Sequence, residues 1–312
     1  MRKFLMITTA ALILMGCSGS GSSKETAKPD DSNATYEEAV GSSTTYVTDA
    51  KFDGAKLDLI LAAQPEKVKV RFGARNPAET LEFFGVTPGM SVGEALPGGG
   101  WYTKILAPYL GEDGKLVGID YTIDMWSEFS FANEAFIETK KNWPEDFVAK
   151  SAEWAPENGP KFAAMTFGTP VGDMAETLDA VLFVRAAHNL SRFETEGGYL
   201  TQAMKTTYDV LKSGGIVGVV QHRAPAEWDD AAANGSAGYV KQANMIAAFE
   251  AAGFEFVKSS EINANPKDQP EIGDGVWRLP PALSGVGDDK ALKAKRIAIG
   301  ETDRMTLVFK KP

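Results

Sequence analysis

From about residue 50 onward, apolar positions along this chain recur in blocks whose period switches repeatedly between two and about three and a half. Met90 to Leu96 is a short apolar run with a β-branched residue, which predicts a strand, and it enters Pro97-Gly98-Gly99-Gly100. Trp101 to Leu110 then carries apolar residues at helical spacing, in the rows Trp101, Ile105, Tyr109 and Tyr102, Leu106, Leu110. Gly111 stops that helix. Lys115 to Ile119 predicts the next strand, which ends at an acid, Asp120.

Ahead of this unit, Leu57 to Ala63 and Pro77 to Phe84 predict two short helices, the second with proline in its first turn. They are expected to cover one edge of the sheet, with Arg71 and Arg75 between them either as surface charge or reaching the ligand cleft. Beyond Tyr121 the pattern predicts one helix at about Phe131 to Lys141 and a weak strand from Phe162 to Phe167. Leu178 to Arg185 is a clear buried strand. Thr195 to Leu211 reads as an amphipathic helix, turned by Ser213-Gly214-Gly215 into the strand Ile216 to Gln221. A helix from Tyr239 to Ala252, closed by Gly253, leads to strand Phe254 to Ser259, and Met305 to Lys310 is a last strand. Between those two strands Glu261 to Asp303 is rich in Pro, Asn, Asp and Gly and long enough to be a lid. Strands alternating with helices from residue 90 predict a doubly wound α/β sheet, mostly parallel.

The first 50 residues follow different rules. Arg2 and Lys3 precede an apolar stretch, Phe4 to Met15, too short to span a bilayer comfortably, and Leu14-Met15-Gly16-Cys17 follows. This resembles the lipobox of bacterial lipoproteins, which implies cleavage before Cys17 and acylation of its thiol. Ser18 after the cysteine points, by the same resemblance, to an export route ending at the outer membrane, facing the periplasm. Cys17 is the sole cysteine, so the body lacks a thiol nucleophile. Residues 18–49, rich in Ser, Gly, Thr and charged residues, read as a flexible tether, and 50–312 as one domain. Removing Arg2 and Lys3 takes the basic count from 32 to 30 against 42 acids, a mature net charge of −12. With no basic run or stripe, such a chain is a poor candidate for nucleic acid. Contact with a membrane is expected only through the anchor.

Glycines at the end of one strand and an acid at the end of the next are half of a nucleotide-binding βαβ unit. The glycines let a ligand approach the backbone, and the carboxylate accepts hydrogen bonds from ribose hydroxyls.

Taken together, VGEALPGGGWYTKILAPYL, GID, LDAVLFVRAAHNL, LKSGGIVGVVQHRA, AAGFEFV and DRMTLVFKKP resemble, in that order, the motifs of class I S-adenosylmethionine-dependent methyltransferases. The resemblance covers about residues 55–312 and is nearest to a group of predicted methyltransferases exported to the bacterial envelope. It implies a seven-stranded Rossmann-like sheet whose antiparallel last strand lies between the fifth and sixth. It also implies S-adenosylmethionine as cofactor. Glu94 and Gly98, Gly99 and Gly100 match the motif around the methionine part of the cofactor, with Pro97 and Tyr102 beside them. Asp120 matches the acid that holds the ribose, and Tyr121 sits near the adenine. Leu96 stands where the family has a glycine, and its side chain is expected to crowd the amino-acid end of the cofactor.

The chain has two histidines, each near an arginine: Arg185 with His188 and Asn189 after one strand, His222 with Arg223 at the end of another. Ligands of open α/β sheets bind outside the carboxyl ends of strands, so these residues fall on the functional rim. His188 or His222 can act as a base for a protonated acceptor, and Arg185 and Arg223 can clamp an anionic one or pair with acids inside the fold. No HxxxH or HxH spacing supports a metal, and no GxSxG elbow is present. A nicotinamide site is weaker, because Thr103 stands where the third glycine belongs. Val276 to Pro281 reads as a lid element, with Trp277 placed to cover a planar ligand or to pack in the core. Two functions follow: a methyltransferase acting on a small or envelope-associated acceptor, or a non-catalytic, lipid-anchored small-molecule-binding protein on the same fold.

Overall fold

The computed structural model describes residues 51–312. The expected leader, Cys17 and the expected tether lie outside the described residues.

Four short helices open the described chain: α1 (Gly54–Ala62), α2 (Glu66–Lys69), α3 (Phe72–Arg75) and α4 (Pro77–Phe84). Asp53 caps α1 by accepting from the Lys56 amide at 2.9 Å, and Gly85 ends α4 at φ 72°. The βαβ unit follows as β1 (Ser91–Ala95), α5 (Thr103–Leu110) and β2 (Lys115–Asp120). Where one helix is expected after β2 there are three: α6 (Ile123–Ser127), α7 (Glu134–Lys141) and α8 (Trp143–Trp154). The divisions are chemical. Thr122 caps α6, Asn133 caps α7, and Pro144 forces a new start at α8.

The remainder runs β3 (Lys161–Thr166), β4 (Leu178–Val184), α9 (Ala187–Arg192), α10 (Glu194–Gly197), α11 (Tyr199–Val210), β5 (Leu211–His222), α12 (Gln242–Ala251), β6 (Glu255–Ser260), α13 (Lys290–Ile299) and β7 (Arg304–Lys310). Gly198 at φ 64° breaks the helix expected over 195–211 into α10 and α11.

The seven strands lie in the order β3-β2-β1-β4-β5-β7-β6. All pairs are parallel except those of β7, which runs antiparallel between β5 and β6. This is the doubly wound Rossmann-like sheet of the methyltransferase fold. Period-two alternation sorts its strands onto two cores. Val117, Ile119, Val181, Phe183, Val219 and Leu307 face one side with Leu190, Met204 and Phe249 of the later helices. Val92, Leu116, Ala180, Leu182, Val220 and Val308 face the other with Leu57, Leu81, Phe84 and Ile105.

That second layer corrects the expectation for the helical lead-in. It covers the centre of a sheet face rather than an edge. Phe84 sits so close to Gly218 of β5 that a Cβ there would come within 2.6 Å of its ring. The lead-in therefore ends over β5, toward the edge where β4 and β5 begin, since Phe84 and Gly85 share a hollow with Asp179 and Lys212.

The antiparallel β7 has a second consequence for function. Its first residue, Arg304, is in register with His222, the last of β5. The segment before it, Glu301 to Asp303, is thereby delivered to the carboxyl edge of the sheet.

Candidate functional site

Strands β1, β4 and β5 end around a cavity of about 500 Å³. Its floor is made by Leu96 to Gly99 after β1, Val184 and Arg185 after β4, His188 of α9 and His222 of β5. Its walls include Arg71, Arg75, Trp101 and Lys104, together with Glu301 and Thr302. A strap from Val276 to Ala282 crosses above it.

Two backbone conformations shape the floor. Leu96 has φ +50° and Arg185 φ +60°, in the left-handed region that side chains disfavour. Leu96 thus keeps the turn for which the family uses glycine, and its amide still donates to Ile119 O at 2.7 Å. Arg185 is pinned by its amide to Val220 O, also at 2.7 Å. Strain of this kind persists where the surrounding fold over-determines it, and it clusters at ligand sites.

His188 and His222 are both buried. His188 Nδ1 lies 3.4 Å from Gln221 Oε1, and His222 Nδ1 lies 2.5 Å from Thr302 Oγ1. Burial pushes His188 down to about 4, with Gln221 opposing and Arg185 adding to the shift. His222 is held well below its ordinary range by burial first and then by His188. Both imidazoles are therefore neutral at pH 7.

Of the two readings for Arg71 and Arg75, surface charge is the favoured one, and the structure has the other: both line the cavity. Arg71 Nη2 reaches Glu301 at 2.7 Å, and Arg75 Nε and Arg304 Nη1 each reach it at 3.4 Å. The Arg75 guanidinium lies over the Trp101 ring, 4.5 Å from its centroid. Burial alone would push the Glu301 carboxyl up, and Arg75, Arg304 and Arg71 more than reverse this. Arg75 is pushed down by burial and then by Arg185, and Arg185 by burial and then by Arg304. Glu301, Thr302 and Arg304 carry no motif. The signal that locates them is topological, since an antiparallel last strand must begin at the carboxyl edge.

Other predicted site residues are placed elsewhere. Arg223 is a correction: its guanidinium is taken by Asp303 at 2.8 Å and Glu261 at 2.6 Å, and it lines a separate hollow. Glu94 is buried and accepts from Thr103 Oγ1 at 2.7 Å, at the start of α5, so it fixes the βα turn from behind. Tyr102 is buried in the second core layer. Pro97, Gly98 and Gly99 line the cavity, but Gly100 does not. Gly100 is a glycine for another reason, because the Trp154 ring fills the place of a Cβ.

Asp120 is 2% exposed, and its Oδ2 accepts from Lys140 Nζ at 2.9 Å. Burial pushes this carboxyl up, opposed chiefly by Lys140. Tyr121 is buried, with its hydroxyl donating to Ala186 O at 2.5 Å and its ring 5.1 Å from Trp126. Asp120 and Tyr121, expected beside a ribose and an adenine, thus have their polar groups met by this chain's own groups. Lys140 belongs to α7, none of whose residues is buried.

Trp277 is 43% exposed, with its ring 6.3 Å from His188, so it covers the cavity rather than packing in the core. The strap is anchored beside it. Asp268 accepts from Arg278 Nη2 at 2.5 Å and from the Tyr239 hydroxyl and the Asp303 amide at 3.0 and 2.9 Å. Among the described residues no group of three or more His, Cys, Asp or Glu is placed to hold a metal, and no helix is long and apolar enough to cross a membrane.

No family model and no curated protein matches the sequence. Solved structures do match. A geranyl diphosphate methyltransferase in complex with SAM is similar at 12% identity, over 84% of this chain and 96% of that one, with a TM-score of 0.47. The [4+2]-cyclase SpnF is similar at 15% identity over 77% and 81%, TM-score 0.46. A SAM-dependent methyltransferase from Aquifex aeolicus is similar at 17% over 68% and 94%, TM-score 0.43. At such scores none of them decides what this chain does.

Proposed function

We propose that the protein is an S-adenosylmethionine-dependent methyltransferase, lipid-anchored in the bacterial envelope, whose acceptor enters the cavity under the 276–282 strap. The observation that carries this reading is the turn at Leu96 to Gly99. It keeps the backbone of a cofactor-binding βα turn, with Leu96 in the left-handed region, and opens it onto the cavity that holds His188, His222 and Arg185.

The residues fit the cofactor in two parts. Gly99 has open space where a side chain would be, so the methionine end can approach the backbone there, with the Leu96 side chain beside it. Asp120 fits the ribose hydroxyls once Lys140 releases it, and Lys140 stands on α7, a helix with no fully buried residue. Bound there, the cofactor would supply a methyl group on a sulfonium. The protein's part is to hold the acceptor in line and to exclude water with the strap. A neutral His188 can take up the acceptor's proton without first losing one of its own.

A second reading, the non-catalytic binding protein, is favoured by one observation. Asp120 and Tyr121 have all their polar contacts met inside the chain. Calorimetric titration of the full chain with S-adenosylmethionine and with its demethylated product separates the two. Micromolar binding that Asp120→Asn weakens supports the enzyme. Absence of binding by folded protein leaves the binding-protein reading in its place.

A further inference from the structure

We propose that the cavity under the strap is a receptor for a small ligand carrying a dianionic oxyanion group, a phosphate monoester in its simplest form, joined to a planar or apolar body. Taken as the methyl acceptor, this ligand rests on the reading above. As a binding site it stands on its own charge.

Arg71, Arg75, Arg185 and Lys104 line the cavity, and Glu301 is the one carboxylate among the lining residues. That carboxylate is shared by Arg71, Arg75 and Arg304. The three lining guanidinium groups and the Lys104 ammonium against one carboxylate leave three positive charges uncompensated. Arg185 receives no carboxylate at all, and its Nε is buried without a hydrogen-bond partner. Arg75, 3% exposed, leaves its Nη2 equally unpartnered. Buried charged donors are seldom left unmet, and each is costly when it is.

An oxyanion with several lone pairs is the group that meets both arginines at once, through charge-assisted and bidentate hydrogen bonds. A monoanion would leave two of the three charges standing, whereas a dianion leaves one. The strained Arg185 backbone belongs to the same design: it sits at the carboxyl end of β4, and its unmet guanidinium is what the strain presents to the cavity. The upper part of the cavity has a different character. Trp101, Trp277, Val276, Leu279 and Pro281 give it aromatic and apolar walls, suited to the body of the ligand rather than its charge.

The test is calorimetry on the full chain at pH 8 with phenyl phosphate, which is dianionic there because its second pKa is near 6. Benzoate serves as the monoanion and benzyl alcohol as the neutral comparison. The expected order is phenyl phosphate first, benzoate weaker, and benzyl alcohol without measurable binding. Arg185→Gln should weaken phenyl phosphate by at least about tenfold, and Arg223→Gln, outside the cavity, should leave it unchanged. Lack of phenyl phosphate binding by folded parent protein overturns the proposal, as does equal affinity in Arg185→Gln. Benzoate binding as tightly as phenyl phosphate overturns the dianion assignment. The S-adenosylmethionine titration is scored separately. Phenyl phosphate binding without cofactor binding keeps the oxyanion site and removes the methyl-transfer reading, and the converse result does the reverse.

Discussion

His188 and His222 meet edge to face, with ring centroids 5.7 Å apart, at the ends of neighbouring elements of the carboxyl rim. Both are buried, so neither can be charged without a penalty. Their folded pKa values lie below the unfolded value of 6.5, for His188 at about 4. The folded state therefore binds fewer protons, and this contribution to stability is present above pH 6.5 and lost as pH falls toward 4. Urea denaturation across that window should show the loss, at most about 3 kcal/mol from His188. His188→Gln should flatten the profile by that share. An unchanged profile would mean that His188 is not held neutral by the fold.

Glu94 titrates with the opposite sign. Burial pushes its carboxyl up from 4.5 to about 7, against the opposing hydrogen bonds from Thr103. Here the folded state binds more protons, so the contribution is complete below pH 4.5 and lost as pH rises through 7. Glu94→Gln keeps an acceptor for Thr103 and removes the charge. Denaturation at pH 8 should find the variant more stable than the parent by up to about 3 kcal/mol, with little difference at pH 4.5. Equal stability at pH 8 would place Glu94 in contact with water or with a cation.

The sheet was legible because strands buried on both faces read as apolar runs: Ser91 to Ala95, Lys115 to Asp120 and Leu178 to Val184 are strands within a residue or two of their expected bounds. The rim was legible for His188, His222 and Arg185, since strand ends can be counted from those runs. Charge partners were not. Arg71 and Arg75 stand in a stretch with surface composition, and only the folding of Glu301 back onto the rim through β7 shows why they line the cavity. The same blindness sent Arg223 to the site, when Asp303 and Glu261 hold it outside. Nor does spacing reveal that Lys140 reaches back to Asp120.

Leu96 offers a test of the turn itself. A left-handed leucine carries about 1–2 kcal/mol of backbone strain, partly offset here by packing against the first core layer. Leu96→Gly removes strain and packing together, so stability should change little. Its side chain also leaves the cavity wall. Affinity for S-adenosylmethionine should rise by about an order of magnitude, or ~1.4 kcal/mol, as measured by calorimetry. A fall in affinity would mean that the leucine side chain holds the ligand rather than crowding it.

Lys140 is the group that the proposed cofactor would have to displace from Asp120. Its ammonium sits 2.9 Å from Asp120 Oδ2 and 3.9 Å from the centroid of the Trp126 ring, where a cofactor's ribose and adenine would have to enter. Lys140→Met leaves Asp120 buried with only the Tyr121 amide as partner, at 2.8 Å, which should lower stability by about 2–4 kcal/mol. If the lysine stands in for the ribose hydroxyls, the same change should raise affinity for S-adenosylmethionine, since the competing group is gone and the exposed helix α7 is no longer tied down. Stability and affinity would then move in opposite directions in one variant. A loss of stability without a gain in affinity would instead mark the Asp120–Lys140 pair as part of the fold, and would count for a binding protein that has closed this half of the cleft for good.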